Sequence, residues 1–132
     1  MKLILLTILL YSIGLNKVQT PHQLFKISTY TSVPKDFTGC GNTFYLSQKD
    51  KKAEKTICVT HFSTALIYIN NKPMRLTANY KLANRGEHIY TSGDYTLITK
   101  LDHEYYVMKG IIIIKYRNKV IWSKKVIGGG GC

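Results

Sequence analysis

Carboxylates are scarce in this chain. Seven Asp and Glu stand against nineteen Lys and Arg in 132 residues, a formal charge of +12. So few acids argue against calcium sites and paired-carboxylate catalysis, which need several of them in one place. There is no G-x-S-x-G, no H-E-x-x-H and no phosphate loop; Gly128–Gly131 is not followed by the Lys-Ser/Thr that such a loop requires. The three cysteines form no C-x-x-C and have no accompanying histidine pair, so a zinc site is not expected. No segment shows an amphipathic helical stripe, and the length leaves room for one domain only. These absences point to a small non-enzymatic domain with no metal and no cofactor.

What is present begins with an address. Lys2 precedes an apolar run, Leu3–Leu6, Thr7, Ile8–Tyr11 and then Ser12 to Leu15, the layout of a secretory leader. The run is shorter than the roughly 18–20 residues of a permanent span, so no integral membrane helix is expected. Residues 1–20 are read as a signal peptide and 21–132 as a single β domain, exported to a periplasmic or extracellular space. Losing the leader removes Lys2 and Lys17 and no acid, which takes the charge from +12 to +10. The basic excess belongs to the folded domain.

Export places the cysteines where disulfides persist. Cys40 lies in the turn-like Thr38-Gly39-Cys40-Gly41, and Cys132 ends the chain after four glycines. Cys58 lies in the apolar stretch Thr56-Ile57-Cys58-Val59, where a thiol serves as a small core residue. The favoured pair is Cys40–Cys132; pairing of Cys132 with another molecule stays open.

The mature chain reads as β nearly throughout. Phe25, Ile27 and Thr29 alternate with Lys26, Ser28 and Tyr30, the period of a half-buried strand. Further strands are expected over Thr43–Leu46, Thr56–Phe62, Ala65–Ile69, Glu87–Thr91, Asp94–Leu101, Tyr105–Tyr116 and Val120–Ile127. Gln48–Lys55 reads as a solvated charged connection, and Asn70-Asn71-Lys72-Pro73 and Arg117-Asn118-Lys119 as turns. The run Gly110-Ile111-Ile112-Ile113-Ile114 cannot alternate in polarity, so burial on both faces, or nearly so, is expected. Asp102-His103-Glu104 reads as a polar turn. The fold class is all-β, a single antiparallel β-sandwich or small β-barrel of about seven or eight strands.

Two basic clusters invite a ligand. Lys49, Lys51, Lys52 and Lys55 form the first; Lys115, Arg117, Lys119, Lys124 and Lys125 form the second, with Tyr116 and Trp122 between them. Aromatics beside lysines suit stacked single strands, yet an exported domain rarely meets nucleic acid. A protein or an acidic glycan of the envelope is the expected partner. A solvated surface whose lysines resist edge-to-edge aggregation is the alternative.

The leader, the Gly-Cys turn, the Ile69-Asn70-Asn71-Lys72 hairpin and the Gly-rich terminal Cys132 resemble a group of small exported bacterial β-domain proteins ending in Gly-Cys. That likeness implies export and carries no activity. Ala65-Leu66-Ile67-Tyr68, Tyr90-Thr91-Ser92-Gly93-Asp94-Tyr95 and Met108-Lys109-Gly110 are similar in order to segments of the C-type lysozyme inhibitor family of periplasmic barrels. That resemblance implies inhibition of a lysozyme-type enzyme through Ser92, Tyr95 and Lys109. Isoleucines follow Lys109-Gly110 here where the family carries acids, and a domain of charge +10 would be repelled by a basic lysozyme.

Overall fold

A computed structural model describes residues 25–39, 41–82, 86–104 and 107–131. Residues 1–20, read above as a leader, and Cys40 and Cys132 lie outside the described residues. Nine strands follow in order: β1 (Ile27–Ser28), β2 (Gly41–Tyr45), β3 (Cys58–His61), β4 (Thr64–Ile69), β5 (Lys72–Ala78), β6 (Glu87–Ser92), β7 (Tyr95–Glu104), β8 (Val107–Tyr116) and β9 (Lys119–Gly131). Among the described residues a 3-10 turn covers Lys35–Phe37, and a short helix, α1, covers Gln48–Lys52. Strands β2 to β9 form an eight-stranded antiparallel barrel. It runs as a meander, each strand paired with the next, and closes at the seam between β2 and β9. β1 is the extra strand, paired to the C-terminal half of β4 by Ile27↔Ile69 and Ser28↔Tyr68.

Two-residue loops supply the sharp reversals. Asn70 and Asn71 join β4 to β5 with φ of 52° and 63°, and Arg117 and Asn118 join β8 to β9 with φ of 48° and 64°. Positive φ at both central positions matches the twist of the flanking strands, and asparagine tolerates it well. The connection between β2 and β3 is charged, as expected, but it winds into α1. Ser47 caps that helix by accepting a hydrogen bond from the Asp50 amide at 3.1 Å.

Inward positions of the strands meet in one core. Phe44, Cys58, Ala65, Ile67, Leu76, Leu97, Ile112 and Ile114 are fully or almost fully buried there. Phe25, Tyr95 and Tyr116 pack ring to ring against the same core, with centroids 4.8–5.7 Å apart. Side chains fill the interior, as small barrels require.

A second cluster lies on the outside of β3 and β4. The chain from Tyr30 to Phe37 crosses their outward faces and buries Val59 and Leu66 beneath Tyr30 and Phe37. Tyr30 stacks on Tyr68 at 4.6 Å and donates its hydroxyl to the Leu66 carbonyl at 2.8 Å. Arg75 lies 5.0 Å over the Phe37 ring and pairs with Asp36, which holds that carboxyl below the usual range. Tyr30→Phe removes one buried hydrogen bond and is expected to cost about 1–1.5 kcal/mol, read as a lower urea midpoint.

Three sequence expectations require correction. The isoleucine run is not buried on both faces: Ile112 and Ile114 are 1% and 0% exposed, Ile113 is intermediate and Ile111 is 36% exposed. Alternation comes from the pleat, which sends successive residues to opposite faces whatever their chemistry. Asp102-His103-Glu104 is the end of β7, paired with Lys109, Met108 and Val107, rather than a turn. The last glycines are also strand, because Gly128–Gly131 pair with Phe44–Gly41 along the closing seam.

Candidate anion-binding face

Among the described residues, one space for a ligand borders β8 and β9. The outward face of β8 carries Lys109, Ile111, Ile113 and Lys115 at alternate positions. Register across the sheet sets Ile111 between Lys100 on β7 and Lys125 on β9, and Lys109 between Asp102 and Ile127. Ile127 in turn faces Tyr45 on β2. Lys109 and Lys125 are therefore diagonal neighbours across the β8–β9 ladder, a relation that places the residues about 7–8 Å apart. They border a shallow pocket of about 230 Å³ whose other walls are Leu46, Gly110, Val126 and Ile127. Its lining is mostly aliphatic and includes two lysines, and among the described residues no carboxylate lines it.

The basic residues of β7, β8, β9 and the β8–β9 turn differ in how far they are already satisfied. Lys100 is 3.3 Å from Glu87, and Arg117 is 3.3 Å from Asp94 while its guanidinium lies 5.2 Å over the Tyr116 ring. Among the described residues, no ion pair includes Lys109, Lys115, Lys119, Lys124 or Lys125.

The second basic cluster is therefore divided by the fold. Lys115 and Lys125 share the outward face, Lys115 beside Thr96 and Val120. Lys119 opposes Tyr116 at the start of β9, Lys124 opposes Ile112, and Arg117 sits in the turn, held by Asp94. A bulge explains the break. Two residues of β9 fit where β8 offers one step between Ile114 and Lys115, and Ile121, the extra residue, is buried. Tyr116 and Trp122 pack against the core cluster and make no open stacking platform.

Ser92, Tyr95 and Lys109 are not brought together. Ser92 pairs with Tyr95 beside the β6–β7 turn, and the Tyr95 ring packs on Phe25 and Tyr116. Lys109 opposes Asp102, seven residues further along β7, or roughly 23 Å at the rise of a strand.

Cys58 is fully buried, and desolvation holds its thiol far above the ordinary value, so it stays protonated and unreactive. His61 packs edge-on to Phe62 at 4.5 Å, and among the described residues no three metal-ligating side chains gather. No helix among them is long and apolar enough to cross a membrane. Sequence reading missed Leu46 and Ile127 as parts of the pocket, because the β2–β9 seam that joins them links distant parts of the chain. Set against known protein families, curated proteins and solved structures, the chain matches none.

Proposed function

We propose that this chain is an exported, non-enzymatic binding domain that captures an acidic glycan of the cell envelope through the β8–β9 flank. The observation that carries the reading is the diagonal pair Lys109 and Lys125 beside a pocket walled by Leu46 and Ile127. Two ammonium groups at that spacing can straddle one phosphate, sulfate or carboxylate, and the aliphatic wall accepts the apolar face of a sugar ring or an attached chain. The surplus of basic residues supports encounter, since a field of one sign steers an anionic partner over several ångströms. A filled barrel interior fits a function carried on the outer surface.

Immobilised heparin serves as the anionic probe. The full chain is expected to be retained at low ionic strength and released well before 1 M salt, where the screening length shrinks to about 3 Å. Equal retention on uncharged agarose, or retention that 1 M salt leaves intact, contradicts an ionic site.

A further inference from the structure

We propose that the rim formed by the β3–β4 and β5–β6 connections docks on a bilayer containing anionic phospholipid, with Phe62, Tyr80 and Leu82 entering the headgroup boundary. These three are 74%, 72% and 56% exposed, the most open large apolar side chains among the described residues. They stand on neighbouring tips. Thr64 opposes Thr77 across β4 and β5, and the Ala78 amide donates to the Ser63 carbonyl at 2.7 Å. The chain then turns, with the Leu82 amide donating to the Asn79 carbonyl at 3.3 Å. The Asn79 amide ties that turn to the Ile89 carbonyl of β6 at 2.7 Å.

Phe62 is unfavourable where it stands. It takes the first of the two loop positions between His61 and Thr64 with φ of 47°, and Ser63 after it is not left-handed. A bulky residue rarely adopts that conformation, and a two-residue loop with positive φ at its first position alone ordinarily places glycine there. The side chain gains little packing in return, since its ring meets His61 edge-on at 4.5 Å and is otherwise open. Strain and exposure coincide where a side chain is kept for a contact outside the fold.

Charge and shape select lipid as the occupant. Lys81 stands exposed between Tyr80 and Leu82, and no carboxylate occurs from Lys55 to Gly86. Asp36 is paired with Arg75 and Glu87 with Lys100, and further round the rim Asp102 opposes Lys109. Lys81 and the chain's overall charge of +12 are left to meet anionic headgroups. A lysine lays its stem along the apolar boundary and keeps its ammonium at the phosphates, beside inserted aromatic and aliphatic side chains. A flat bilayer accepts two protruding tips as they stand, whereas a protein would need a fitted pocket for each.

The test places a reporter on the tip. Full-length Phe62→Trp, beside the parent whose sole tryptophan is Trp122, is mixed with vesicles of phosphatidylcholine and phosphatidylglycerol carrying brominated acyl chains. The added tryptophan is expected to shift to the blue and lose about half of its emission, because a side chain at the headgroup boundary reaches the bromines. The loss should be smaller in vesicles without phosphatidylglycerol. Attachment that leaves this tryptophan unquenched, no attachment at all, or equal quenching in both kinds of vesicle overturns the inference. Phe62→Asn suits the left-handed turn and is expected to raise the melting temperature by about 2 °C or more; a lowered one would show that Phe62 is kept for packing. Its retention on heparin should stay within about twofold of the parent, since that surface is separate. A lipid-free dimer that Leu82→Ser dissolves would assign the rim to a second copy instead.

Discussion

Raising the pH above about 9 is expected to destabilise this barrel steeply. The cause is buried acids that must stay neutral. Burial pushes the Cys58 thiol far above its ordinary value, and burial, reinforced by the neighbouring Cys58, does the same to the Tyr30 phenol. Burial raises Tyr90 in the same direction. In the unfolded chain these groups ionise at their usual values, near 8.5 for Cys and 10 for Tyr. Above those values the unfolded state binds fewer protons than the folded one, so stability falls as pH rises. The contribution is fully present below about pH 8.5 and is lost progressively toward the raised folded values. Each of Cys58 and Tyr30 removes about 1.4 kcal/mol per pH unit once its unfolded form has ionised. Set against a typical total of about 5–15 kcal/mol, two pH units suffice to expose the weakness. Urea midpoints between pH 7 and 11 check this. A steep decline beginning near pH 9, made shallower by Tyr30→Phe, is the expected result; a profile flat to pH 11 contradicts it.

Ile112→Ala is expected to cost about 2–5 kcal/mol, whereas Ile111→Ala, one residue away, should cost less than about 1 kcal/mol. Ile112 is 1% exposed and faces the core, while Ile111 is 36% exposed on the outer face between Lys100 and Lys125. The two substitutions delete the same atoms, so their difference isolates the face each residue occupies. A one-residue slip of β8 would exchange the two values, since every side chain would move to the opposite face. Equal large costs would mean that the run is buried on both sides. Chemical denaturation of the two variants, with the slope of unfolding compared, decides between these outcomes.

Much of this fold was legible because it is written locally. The all-β class follows from β-branched and aromatic runs broken by Asn70-Asn71 and Arg117-Asn118, and both pairs adopt the positive φ that such loops need. Cys58 in an apolar stretch reads as a core thiol, and it is one. What stayed hidden depends on pairing between distant segments. Nothing near Gly128–Gly131 shows that four glycines form a strand, because their partner is Gly41–Phe44 at the other end of the domain. The four isoleucines look identical along the chain and differ only in which face the closed sheet gives them.

The candidate site follows the same rule. Lys125 belongs to a visible basic cluster, but its companion Lys109 comes from a different segment, and Leu46 joins them across the barrel seam. Conversely, Arg117 looks equivalent to its neighbours in sequence and is held by Asp94 in the fold. A basic cluster in sequence marks charge density, whereas the register selects which charges share a face.

The most direct measurement is a charge-matched comparison of affinity for heparin in the full chain. Lys109→Gln with Lys125→Gln removes two charges at the pocket, and Lys51→Gln with Lys52→Gln removes two from the exposed helix α1. The two double variants carry the same net charge and differ in where it was lost. If the β8–β9 flank is the binding site, the pocket variant loses affinity by about tenfold, or about 1.4 kcal/mol, while the helix variant stays within about twofold of the parent. Equal losses in the two variants would show that overall charge alone drives the binding and would contradict a site at Lys109 and Lys125.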